Sequence, residues 1–178
     1  MPSYRSAGII MTPGSGEFGD SYMRKRITRE ALESSPQPGN WLDLARLATV
    51  EITSETDAHP IEAALISGRG SGWRAAEPGA QLIRILFNQP QPLKRIHLVF
   101  EEHEQSRTQE FTLRWSQDGG CSYEQILRQQ YNFAPPVTRR QIEEYGVALE
   151  GVTALELRIV PDISGGDAFA SLAQLRLA

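Results

Sequence analysis

Short apolar runs interrupted by polar residues begin at about residue 40 and continue to the end of the chain. Phe111, Leu113 and Trp115 are separated by polar residues, which is the period of a strand with one buried face. The turn-forming residues 118–120, Asp-Gly-Gly, follow this run. The repeated pattern predicts an all-β fold, an antiparallel β-sandwich formed by residues 40–178.

The same pattern locates the individual strands. In one of them Ile96, Leu98 and Phe100 share a face. Residues 88–92 contain two prolines and are expected to end the strand before them, because proline cannot donate to a ladder. Only residues 123–130 and 139–144 have a helical composition. Strands are expected at residues 44–52, 81–87, 95–100, 110–116, 145–149, 154–160 and 171–177.

Residues 1–39 differ from the rest of the chain, since they are rich in Gly, Pro and Ser and show no sustained period. They predict an N-terminal arm without a core of its own. Thr28 is a suitable N-cap for a short helix over residues 29–33, and residues 36–39, Pro-Gln-Pro-Gly, would end it. We expect the arm to pack on its own domain or on a partner chain, which would permit a homo-oligomer.

Composition limits the classes of function. Net charge is −4 from 18 basic and 22 acidic residues, which disfavours nucleic acid as a partner. No apolar run approaches the roughly 20 residues that span a bilayer, and the N-terminus lacks the apolar core of a secretory signal. Cys121 is the single cysteine, so an internal disulfide is excluded. These features predict a cytoplasmic protein.

Several motifs, taken in order, resemble the discoidin (coagulation-factor C-type) branch of the galactose-binding-like domains, including the family-32 carbohydrate-binding modules. The resemblance covers roughly three quarters of the chain. It implies an eight-stranded jelly roll with binding loops at one end. The matching motifs are Ala-Leu-Ile-Ser-Gly at residues 64–68, Trp73, the strand at 81–87, residues 111–119, residues 155–159 and Ala-Ser-Leu-Ala-Gln-Leu at 170–175.

The resemblance also indicates which loops bind a ligand: residues 53–60, 67–74 and 101–108. Sugar recognition requires polar side chains for vicinal hydroxyls and an aromatic face for the ring. Two of the candidates have a structural alternative, because Trp73 suits a core position beneath the loops and Arg107 suits an exposed ion pair with a neighbouring glutamate. The candidate ligand-binding residues are Asp57, His59, Arg69, Trp73, Arg74, Glu102, His103 and Arg107.

Two departures from the family limit what the resemblance implies. Many relatives hold a structural calcium with carboxylates at the positions of Ser67 and Gln174, and here both residues are neutral. We therefore expect no high-affinity calcium site there, because Ca²⁺ prefers oxygen ligands that include carboxylates. The loop at 53–60 also lacks the apolar spikes of membrane-binding relatives, so no membrane partner is expected.

No arrangement typical of an enzyme is present in the sequence. There is no Gly-x-Ser-x-Gly elbow, and Gly-Arg-Gly-Ser-Gly at 68–72 lacks the Lys-Ser/Thr of a phosphate-binding loop. Residues 101–104, Glu-Glu-His-Glu, are adjacent on an extended loop, where side chains diverge, so no metal site is expected. The sequence predicts a protein that is not an enzyme and needs no cofactor.

Two functions remain open on these grounds. The first is carbohydrate binding through the end loops. The second is a cytoplasmic protein–protein assembly module that docks through its N-terminal arm. Residues 131–136, Tyr-Asn-Phe-Ala-Pro-Pro, fit either a partner surface or a loop folded over the sandwich edge.

Overall fold

The computed structural model describes residues 40–178. The predicted arm at residues 1–39, with its helix at 29–33, lies outside this range. Neither of the two helices in the described range is long or apolar enough to cross a membrane. The elements are α1 (Leu44–Leu47), β1 (Ala48–Ile52), α2 (Glu62–Leu65), β2 (Trp73–Pro78), β3 (Gln81–Glu101), β4 (Arg107–Ser116), β5 (Glu124–Phe133), β6 (Arg140–Val160), β7 (Phe169–Leu172) and β8 (Gln174–Leu177).

All strand pairs are antiparallel. The main sheet has the order β1-β3-β6-β4-β5, with β8 added beside β3, and β2 and β7 form a separate two-stranded sheet. The first half of β3 pairs with β1 and with the end of β6, whereas its second half pairs with the start of β6 and with β8. The expected all-β antiparallel sandwich is confirmed.

The core lies between the two halves of the main sheet. The ring of Phe100, in the second half of β3, packs 5.1 Å from Phe111 of β4 and 5.6 Å from Tyr131 of β5. Ile96, Leu98, Phe100, Phe111 and Leu113 are all buried, as their alternation predicts. Because Phe100 belongs to one half of the sheet and Phe111 and Tyr131 to the other, these contacts show that the halves face each other.

The prediction that residues 88–92 end a strand is wrong, because β3 continues through them. The ladder with β6 is irregular there, with register shifts between Leu86 and Arg95. Asn88, Gln89 and Pro90 are exposed. The fixed φ of proline is compatible with extended backbone at such an irregularity, where its missing N–H leaves no ladder bond unmade.

Other boundaries also need correction. The stretches expected to be helical, residues 123–130 and 139–144, lie in β5 and at the start of β6, because pairing with β4 and β3 overrides local helix propensity. The strands expected at 145–149 and 154–160 are parts of the single strand β6. Residues 44–47 form α1 rather than the start of a strand. The strand expected at 171–177 is split into β7 and β8.

Candidate functional site

A cavity of about 190 Å³ opens at one end of the sandwich. Residues from all three predicted loops line it, and the β7–β8 segment completes the wall. Strand ends and turns therefore supply the lining, as is usual for sites carried on a rigid sheet scaffold. The lining residues are His59, Ser71, Trp73, Arg74, Glu101, Glu102, His103, Glu104, Ser171 and Ala173.

The structure brings five of the eight predicted residues to this cavity, namely His59, Trp73, Arg74, Glu102 and His103. The other three lie elsewhere. Asp57 and Arg69 are exposed on the first two loops, outside the lining. Arg107 is buried and is not part of the lining either.

Trp73 forms the floor of the cavity. Its side chain is buried in the hydrophobic core, and its Nε1 donates a hydrogen bond to the carbonyl oxygen of Ser54 at 3.1 Å. This is the position beneath the loops that the sequence allowed as the alternative to ligand contact. The indole therefore anchors the loop at 53–60 and does not present an open face to solvent.

Arg107 and Glu102 form an ion pair with 2.9 Å between Nε and Oε2. The expectation of an exposed pair is wrong, because both side chains are buried. Arg107 also donates to the carbonyl oxygen of Phe169 at 2.8 Å. Burial lowers the pKa of Arg107, and the charge of Glu102 opposes that effect. Arg107 thus supports the cavity from behind.

Glu102 shapes the loop that carries His103 and Glu104. Its Oε1 accepts hydrogen bonds from the backbone N–H groups of Glu104, at 2.7 Å, and Gln105, at 3.3 Å. Because the carboxylate is itself held by Arg107, the turn of this loop has a fixed internal support.

The exposed walls of the cavity consist of paired polar groups. Ser71 Oγ lies 3.2 Å from His59 Nδ1, and Arg74 Nη2 lies 3.3 Å from Glu104 Oε2. The guanidinium of Arg74 also stacks over Phe169, with 5.6 Å from its central carbon to the ring centroid. Such pairs place donors and acceptors side by side at the opening.

Sequence reasoning missed several lining residues. Glu101, Glu104 and Ser71 lie in the predicted loops and were not selected, whereas Ser171 and Ala173 were assigned to a strand. The hydroxyl of Ser171 donates to the carbonyl oxygen of Glu101 at 3.0 Å and thereby joins β7 to the end of β3. The Ala-Ser-Leu-Ala motif was visible in the sequence, but its position beside the cavity follows only from the pairing of β7 with β2.

The site carries no metal-binding geometry within the described range. Among residues 40–178, no three His, Cys, Asp or Glu side chains converge on a point where an ion would be held.

The aromatic residues at 131–133 belong to the core. Phe133 is buried, and its ring lies 5.1 Å from that of Tyr131 in an edge-on arrangement. Burial raises the pKa of Tyr131, whose hydroxyl accepts a hydrogen bond from Gln109. Both rings lie in strand β5 and pack on the core, so they form neither a partner surface nor a loop folded over the edge. The exposed apolar side chain nearby is Val137.

No protein-family model and no curated protein matches the sequence. Solved structures do resemble the fold. The family-32 module of AlyQ, in complex with 4,5-unsaturated mannuronic acid, has a TM-score of 0.58 and 11% identity, covering 79% of this chain and 98% of that one.

Two modules from Clostridium perfringens are comparably similar. CpGH89CBM32-5, in complex with GalNAc-β-1,3-galactose, has a TM-score of 0.58 and 16% identity over 78% of this chain and 99% of the module. The NanJ family-32 module, in complex with galactose, has a TM-score of 0.54 and 13% identity over 73% of this chain and 92% of the module. At such identities the likeness concerns the fold. The described part of the chain therefore has the galactose-binding-like β-sandwich fold of the family-32 carbohydrate-binding modules.

Proposed function

We propose that this protein is a non-catalytic carbohydrate-binding module whose ligand occupies the cavity at the loop end. The observation that carries the proposal is the set of polar side chains around one concave opening, with His103 and Glu104 exposed and His59 and Arg74 half-buried. The shared fold supports it, because the compared structures include sugar complexes of isolated modules. Fold likeness alone does not assign function, so the cavity is the stronger support.

The side chains are suited to sugar recognition. A guanidinium beside a carboxylate, as in Arg74 and Glu104, donates to one hydroxyl and accepts from the next, which matches a vicinal diol. The ring face that many sugar sites provide is not supplied by the buried Trp73. Specificity in this cavity would therefore depend on hydrogen bonds.

A glycan array tests the proposal directly. Wild-type protein should bind a defined subset of the arrayed glycans. Arg74→Ala should lower the affinity for them at least about tenfold, since hydrogen bonds to a charged group are lost. Arg69→Ala is the matched control, because Arg69 lies on the same loop and outside the lining. No glycan retained at high micromolar concentration, or equal losses in both variants, would exclude sugar binding at this cavity.

Protein–protein assembly is the second candidate. It is favoured by two exposed apolar side chains around the β5–β6 connection, Val137 at 89% and Ile142 at 53% exposure. If they contact a second copy, full-length protein is oligomeric in light scattering, and Val137→Asp with Ile142→Lys gives the monomer mass. Removal of residues 1–39 tests the arm separately. A monomer mass for the wild type across micromolar concentrations would exclude self-assembly.

A further inference from the structure

A second depression of about 190 Å³ adjoins the candidate cavity. The two share Ser71, Glu101 and Ala173. The second depression adds Arg140, from the first position of β6, and Gln174, from the first position of β8. Two openings that share three wall residues are direct neighbours, and we refer to the pair as the groove.

Glu101 lies between the two openings, and its carboxylate contacts one side chain on each side. Its Oε2 lies 3.6 Å from His103 Nε2, on the side of the first cavity. Its Oε1 lies 3.4 Å from Arg140 Nε, on the side of the second. Both partner side chains are well exposed. The guanidinium of Arg140 therefore keeps N–H donors free for a ligand after pairing with Glu101.

The strand ladder fixes the backbone position of Arg140. Glu101 and Arg140 are cross-strand partners at the end of the β3–β6 ladder, and Glu102 N–H donates to the carbonyl oxygen of Arg139 at 2.8 Å. A side chain on a ladder is positioned more precisely than one on a loop.

The size of the openings argues for their joint use. A volume of about 190 Å³ falls below the roughly 300–1,000 Å³ of ordinary ligand pockets, whereas the two together fall within that range. One opening alone would enclose little of a ligand.

Resting on the proposed sugar-binding function, we propose that the groove binds two consecutive units of a neutral glycan. Arg140, Glu101 and Gln174 hold the second unit. Each exposed guanidinium is already matched by a carboxylate, Arg74 by Glu104 and Arg140 by Glu101. An acidic sugar would have to compete with those carboxylates, whereas neutral hydroxyls bond to both members of each pair.

Calorimetric titration with matched sugars tests this. The probes are galactose, GalNAc and the disaccharide GalNAc-β-1,3-galactose, with galacturonic acid and digalacturonic acid as the acidic pair. Wild-type protein should bind the neutral disaccharide about tenfold more tightly than either neutral monosaccharide, from the added charged hydrogen bonds. Arg140→Ala should remove that gain, so that the disaccharide binds no more tightly than the monosaccharides.

Two further variants interpret the result. Arg74→Ala should lower the affinity for the monosaccharides and for the disaccharide by the same factor. Arg139→Ala should change neither, since this exposed arginine lines neither opening. The two-unit groove would be contradicted if the wild type bound the neutral monosaccharides and the disaccharide with equal affinity. It would also be contradicted if Arg140→Ala weakened the binding of both by the same factor. The proposed sugar-binding function would stand in either case. Binding of the two acidic sugars alone would contradict the proposal of a neutral ligand. If no probe bound, both the sugar-binding function and the two-unit groove would be contradicted.

Discussion

Arg107 and Glu102 form an ion pair behind the candidate cavity, with side chains that are only 1% and 8% exposed. Replacing Arg107 by Met leaves the Glu102 carboxylate buried without its cation. We expect the free energy of unfolding to fall by about 3–5 kcal/mol, as in other buried pairs that lose one partner. Urea denaturation followed by tryptophan fluorescence measures the change.

Two comparisons separate pairing from packing. The double variant Arg107→Met with Glu102→Gln should be more stable than Arg107→Met alone, because the unpaired charge is gone. Arg74→Ala breaks the exposed pair with Glu104 and should cost less than about 1 kcal/mol. A loss in Arg107→Met no larger than that in Arg74→Ala would contradict the importance of the buried pair.

Glu156 is fully buried between two arginines on the outer face of the main sheet. Arg84 Nε donates to its Oε2 at 2.8 Å, and Arg114 bonds to Oε1. The ring of Tyr123 lies beside both guanidiniums, at 6.0 and 5.2 Å. Glu156→Gln leaves two cations without their shared anion, and we expect a loss of about 2–3 kcal/mol in the free energy of unfolding.

The control for this variant is Glu51→Gln. Glu51 is exposed and lies 3.8 Å from the same Arg84, so its neutralisation should change the free energy of unfolding by less than about 1 kcal/mol. Equal effects in thermal or urea denaturation would show that burial of Glu156 does not matter.

Gly72 has a φ of +94°, and a Cβ there would lie 2.6 Å from the carbonyl oxygen of Leu172. Gly68, on the same loop, has a φ of +78° and nothing within 4 Å of the added atom. Gly68→Ala should cost about 1–2 kcal/mol from backbone strain alone. Gly72→Ala should cost about 1–3 kcal/mol more, because backbone atoms must move. Urea denaturation of both variants measures the difference, and equal losses would contradict the close approach.

Acid sensitivity should depend partly on Asp118. Hydrogen bonds from the hydroxyls of Ser116 and Ser122 hold its pKa well below its usual value. A carboxyl whose pKa is lower in the folded than in the unfolded state stabilises the fold above its unfolded pKa, and this stability is lost as pH falls.

The free energy of unfolding should therefore decrease as pH falls from about 5 toward about 2. The decrease should be smaller in Asp118→Asn than in the wild type. The control is Asp57→Asn, which replaces an exposed aspartate on a different loop and should keep the wild-type slope. Identical slopes for wild type and Asp118→Asn, measured by urea denaturation at each pH, would rule out the contribution of Asp118.

The sequence predicted the inward faces well and the long strands poorly. Phe111 and Leu113 follow the two-residue period with apolar residues, and both are buried. The start of β6 carries Glu143 and Glu144, and its side chains alternate between exposed and half-buried. A strand with so little buried apolar surface lacks a strong hydrophobic period, and its glutamates and glutamine favour a helix locally.

The residues of the site were likewise predicted well where local sequence was enough and poorly where the pairing of strands decides. His59, Arg74 and His103 were predicted because the family resemblance places their loops at the binding end, and all three line the cavity. The depth of Arg107 depends on Phe133 and Phe169, which come from distant strands, and sequence spacing does not reveal that burial. Arg140 was missed because its segment has a helical composition, so its place beside Glu101 became visible only with the β3–β6 register.

Strands β3 and β6 each run for 21 residues and contribute to both facing halves of the main sheet. Neither half can detach without breaking the longest ladder in the described range, so the layers should melt together in one cooperative transition. Amide protons along β3 and β6 would then exchange only through global opening, while those of the loops around the cavity exchange sooner. A ligand at the loop end would be bound by the faster-exchanging part of an otherwise slowly exchanging domain.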